Sequence, residues 1–96
     1  MTIKIKKKAG TFAENKDIAK QIREKELIPL LKKEKKVYLD FDQVSGTTQS
    51  FIHALISETI REFGDGVYDK MIFKNCTEQV RQVINIVADY MQESSN

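Results

Sequence analysis

Val37 to Phe63, VYLDFDQVSGTTQSFIHALISETIREF, is the stretch whose reading decides the fold. In its first six residues, Val37, Tyr38, Leu39, Asp40, Phe41 and Asp42, apolar and polar side chains alternate with the period of two of a strand with one buried face. Val37, Leu39 and Phe41 form the inward set. A polar turn, Ser45-Gly46-Thr47-Thr48, comes next, and then Phe51, Ile52, Leu55, Ile56, Ile60 and Phe63 recur at spacings that gather them on one side of a helix. Thr47, Thr48 and Ser50 each qualify as the hydroxyl cap of that helix. Its start carries unpaired N–H groups and the positive end of the helix dipole, where an anion or phosphate is favoured.

Working outward, Ile3 and Ile5 alternate with Thr2, Lys4 and Lys6, so a strand is expected over Thr2 to Lys8, closed by Gly10. Thr11-Phe12 is a bend or a brief further strand. Ile18 and Ile22, then Leu27, Leu30 and Leu31, predict a helix from about Asn15 to Lys25, a break imposed by Pro29, and a second helical turn from that proline. Gly64-Asp65-Gly66 ends the central helix. Val67 to Lys74 reads as the third strand, with Met71 and Phe73 on one face and Lys70, Ile72 and Lys74 on the other. Thr77 caps the last helix, whose stripe is Val80, Val83, Ile84, Val87, Tyr90 and Met91, and Gln92 to Asn96 is expected to fray.

Every strand thus has an apolar face and a polar one, a pattern that fits a sheet covered by helices on one side only. The expected fold is a single α/β domain spanning residues 1–96, a two-layer sandwich in which a small mixed sheet of three to four strands carries helices on one face. On the open face, Asp40 and Asp42 with lysines of the neighbouring strands are expected to form solvated cross-strand ion pairs. A catalytic or metal-binding role for the two aspartates is disfavoured there, because acid/base work needs a pocket that shifts a pKa.

Charge and composition narrow the function. Sixteen basic residues against 14 acidic leave a net charge of +2, too small to imply nucleic-acid binding by bulk electrostatics. Cys76 is the single cysteine, which points to a reducing, cytoplasmic setting. MTIKIKKKAG lacks the apolar segment of a signal peptide, and no run approaches a membrane span. His53 has no second ligand at metal spacing, and nothing places it beside Cys76 as a nucleophile–base pair, so neither a metal, a cofactor nor an enzyme activity is expected.

LDFDQV, the hydroxyl-rich turn and SFIHALI together resemble the bacterial STAS-like domains of unknown function, small relatives of the STAS fold of anti-sigma factor antagonists. The resemblance runs from about Gly10 to the final helix. In the wider fold an aspartate-serine-serine-glycine turn opens the equivalent helix, and its serine is phosphorylated by a partner kinase. The matching positions here are Thr48, Gln49, Ser50 and Phe51, without the aspartate or the glycine. The resemblance implies a regulatory module that docks on a protein partner, such as a histidine-kinase-like ATPase, through Ser45, Gly46, Gln49, Ser50 and His53. Ser50, Thr48 and Thr47 are then the positions for a phosphate switch. An immunity or antitoxin protein that blocks a toxin without any switch is the alternative. A nucleic-acid binder using Lys4, Lys6, Lys70 and Lys74 is the weakest of the three, since Tyr38 is the lone aromatic among them. An exposed sheet edge also leaves a homodimer open.

Overall fold

The computed structural model describes residues 1–94. Strand β1, Thr2–Lys4, leads into a single helical turn, α1, Lys6–Ala9, and then a two-residue strand, β2, Phe12–Ala13. Helix α2, Lys16–Ile22, passes through a π-helical segment, Arg23–Leu27, into α3, Ile28–Lys33. Strand β3, Val37–Asp40, and the short β4, Gly46–Thr47, precede the central helix α4, Gln49–Phe63. A 3-10 segment, Asp65–Lys70, strand β5, Met71–Lys74, and the long helix α5, Glu78–Ser94, complete the order.

The two-layer α/β design holds, with helices packed against the sheet. The strands are all parallel rather than mixed, in the order β1-β3-β5, with β2 and β4 forming a second, two-stranded pair. Parallel neighbours need a long return path, and the segments between β1 and β3 and between β3 and β5 supply it as helices. Register puts Ile3, Leu39 and Phe73 in one row on the covered face, with Val37 beside Met71. The other face shows Thr2, Tyr38 and Ile72 in one row and Lys4, Asp40 and Lys74 in the next.

Three expected elements differ. β1 stops at Lys4 because Lys6-Lys7-Lys8-Ala9 is a run of strong helix formers with no β-branched residue, and Ala9 N–H closes the turn on the Ile5 carbonyl at 2.9 Å. Gly10, at φ +77°, ends it. Pro29 does not break the helix. Its ring would collide with the Lys25 carbonyl of an ordinary α-helix, and the π turn just before it widens the coil at that point, so the chain stays helical from Lys16 to Lys33. Val67 to Lys70 forms the 3-10 turn instead of strand, leaving β5 four residues long.

At the other end of the chain, α5 is helical through Ser94, and of the segment expected to fray, Gln92 to Asn96, the last two residues lie outside the described residues. The core brings Phe41 and Phe51 together with Ile5, Leu39, Ile52, Leu55, Ile56 and the inner face of α5, all buried. Burial of that apolar surface is the main force holding the helical layer on the sheet.

Candidate functional site

The start of α4 sorts the three hydroxyl residues into three environments. Thr48 is the N-cap, with extended backbone and its Oγ1 accepting from Phe51 N–H at 3.1 Å. Thr47 is 2% exposed, in β4, and its hydroxyl donates to the Ala13 carbonyl at 2.6 Å. Ser50 is exposed and has neither duty.

Ser45 and Gly46 belong with Thr47 in a tight junction with β2. Ser45 N–H and Oγ both donate to the Thr11 carbonyl, at 2.7 and 2.9 Å. Gly46 is buried under Phe12 so closely that an added Cβ would lie 2.7 Å from the ring, which explains the glycine. Gln79, in the first turn of α5, reaches across to the same segment. Its Oε1 accepts from Thr47 N–H at 2.9 Å and its Nε2 donates to the Thr47 carbonyl at 3.0 Å, so one amide imitates a neighbouring strand. This clamp, with Thr77 Oγ1 donating to the Ser45 carbonyl at 3.1 Å, fixes the start of α4 against the start of α5.

Gln49, Ser50 and His53 instead converge on an open groove of about 430 Å³, shared with Ala54 of α4, Lys16 of α2, and Ile86, Val87 and Tyr90 of α5. The groove walls are mainly apolar, with a few polar side chains among them. Behind it, Arg23 in the π segment donates through Nη1 to the Ala54 carbonyl at 2.7 Å and ties α2 to α4. The α5 wall was not legible as a site. The apolar stripe predicted for this helix includes Tyr90, yet Tyr90 is 62% exposed, and Ile86, one turn before it, is 50% exposed. The missed signal is that the two stand four residues apart, a second apolar ridge beside the buried Val83, Val87 and Met91.

Two further cavities lie at the carboxyl end of the sheet. One, of about 290 Å³, is lined by Lys4, Lys6, Lys7, Asp40, Asp42 and Gln43. The other, of about 570 Å³, takes in Phe41 to Ser45 and Asn75 to Thr77, so Cys76 and His53 belong to different cavities. In place of the expected solvated ion pairs, Asp40 is the centre of a hydrogen-bonded polar cluster. Asp40 is only 9% exposed, and its Oδ1 accepts from Asn75 Nδ2 and from Asp42 N–H, both at 2.9 Å. Those two hydrogen bonds, with Lys74 and Lys4 in adjacent register, hold its carboxyl below the usual carboxylate range against the opposing effect of burial. Asp42 lies beyond β3, in the turn. Lys74 sits over the Tyr38 ring at 5.4 Å. Burial raises the Cys76 thiol pKa, so it is not an activated thiolate. Among the described residues no three His, Cys, Asp or Glu side chains are grouped to hold a metal, and no helix is long and apolar enough to cross a membrane.

A small parallel sheet, helices on one face and a hydroxyl-rich turn opening the central helix define a STAS-like α/β domain. The chain belongs to the family described as the STAS-like domain of unknown function, whose model matches residues 19–81, about two thirds of its length. The match begins inside α2 and ends in the first turn of α5, so Lys16 and the Ile86–Tyr90 ridge lie beyond it. No curated protein and no solved structure matches the chain.

Proposed function

We propose that this is a non-enzymatic regulatory module that docks on a protein partner through the groove at the start of α4, with Ser50 as the position that switches docking. The observation that supports it most is the contrast among the hydroxyls: Ser50 is exposed and lines the groove, while Thr48 is occupied as the cap and Thr47 is buried. A phosphate on Ser50 would lie in the first turn of α4, where the helix dipole tolerates it, and would add about two negative charges to a surface that must be desolvated for docking. Docking would be weakened by that charge. A kinase-like ATPase is the partner class that the family resemblance implies.

The test is retrieval of bound proteins from native cells by the wild type and by Ser50→Asp, with mass spectrometry of residues 47–50. An ATPase held by the wild type and released by Ser50→Asp, with phosphate on Ser50, is the expected result. A toxin or nuclease held equally by both forms, with the turn unmodified, overturns the switch and assigns the protein to the immunity class.

A further inference from the structure

We infer that the groove between α4 and α5 seats a single amphipathic helix of the partner, which lays aliphatic side chains against Ala54, Ile86 and Val87 and sets a carboxylate beside Lys16. This rests on the docking reading above and supplies the chemistry of the occupant.

Three features of the groove select that occupant. Ile86 and Tyr90 stand one turn apart and half or more exposed, so α5 presents an apolar ridge that no segment of the chain covers among the described residues. Its opposite wall is the outer side of α4 at Gln49, Ser50, His53 and Ala54. Two helices side by side offer side-chain ridges and no row of free N–H and C=O groups, so an extended peptide laid there would leave its own backbone unpaired. A helix brings its backbone bonds already made and fills such a trough with residues at i, i+3 or i+4, and i+7. Charge sets the polar side: among the lining residues Lys16 is the one lysine or arginine, and none is aspartate or glutamate. An acidic group on the incoming helix therefore finds a partner, whereas a basic one meets Lys16 as a like charge.

The test uses the full chain as bait for a displayed library of single helices of about 18 residues, five turns, with random apolar, acidic and basic positions. Enriched helices are expected to carry an apolar i, i+3/i+4, i+7 stripe flanked by Asp or Glu. They should lose about tenfold or more in affinity for Ile86→Glu, which sets an unpaired charge against the apolar stripe. Lys16→Glu should weaken them a few-fold, the size of a rim ion pair, and replacing the helix carboxylate by lysine should restore binding to that variant. Tyr90→Ala, with circular dichroism and thermal melts of all variants, separates loss of binding from loss of fold.

Binders indifferent to Ile86→Glu, enrichment of basic or extended sequences, or no enrichment at all would overturn the inference. So would a wild-type dimer in sedimentation that Ile86→Glu dissociates, since the groove would then belong to a second copy of this chain. Ser50→Asp is measured separately. Selected helices that bind it as tightly as they bind the wild type uphold the groove and remove only the switch.

Discussion

Thr47 and Ser50 are three residues apart and belong to opposite kinds of surface. Around Thr47 every polar group is answered from within the chain: its hydroxyl by Ala13, its backbone N–H and carbonyl by the Gln79 amide, and the neighbouring Ser45 by Thr11 and Thr77. Around Ser50 the apolar ridge of Ile86 and Tyr90 lies open and the serine hydroxyl has no capping duty. The hydrogen-bonding groups of the first surface are taken up by the fold itself, while the second leaves apolar side chains open. The sheet's carboxyl end is partly similar, since Asp40 Oδ1 accepts from both Asn75 and the Asp42 N–H.

The contrast is broken most severely by removing the Gln79 clamp. Gln79→Ala leaves the N–H and carbonyl of Thr47 without partners in a buried segment, and an expected loss of about 1–3 kcal/mol in unfolding free energy should appear in urea melts. Gln79→Glu sharpens the test. It keeps an acceptor for Thr47 N–H but turns a second oxygen toward the Thr47 carbonyl, so it should be no better than alanine. Full stability in Gln79→Glu would mean that the amide is not the tie between α5 and β4.

A smaller effect is expected at Asp40. Asparagine at this position keeps an oxygen for Asn75 and for Asp42 N–H, so Asp40→Asn removes the charge and preserves the geometry. Because folding lowers the Asp40 pKa from about 3.8, the carboxylate stabilises the fold above that value and the contribution is lost as pH falls through the folded pKa. The wild type should therefore exceed Asp40→Asn in stability at pH 7, by about 1 kcal/mol or less, and the gap should close below about pH 4. Parallel melting curves from pH 7 to pH 2 would show that the charge contributes nothing.

Much of the fold was legible because apolar periodicity reports directly on burial. Val37, Leu39 and Phe41, and the α4 set from Phe51 to Ile60, are buried as their spacing required. Long-range geometry was not legible. Nothing local distinguishes a parallel strand from an antiparallel one when each is three or four residues long, and the rule that proline breaks a helix assumes α geometry, which the π turn before Pro29 departs from. At the site, the hydroxyl cap was narrowed to three candidates, and only the backbone of Thr48 selects it. Tyr90 was misplaced because a residue at the margin of an apolar stripe satisfies the helical period whether it faces the core or lies one step outside it.

That margin yields the smallest expected effect and the sharpest contrast. Ile86 and Val87 are adjacent on α5, one half exposed and the other buried. Val87→Ala removes two methyl groups from packed surroundings and should cost about 1–2 kcal/mol. Ile86→Glu exchanges an apolar group for a charged one at a position already wet, on a helix that tolerates glutamate well, and should change stability by no more than about 0.5 kcal/mol. If Ile86→Glu proves as costly as Val87→Ala, then Ile86 is covered in the free protein and the ridge is part of the core. If it is neutral, the isoleucine contributes little to the fold, and its half-exposed side chain is free to contact an occupant of the groove without cost to the domain's own stability.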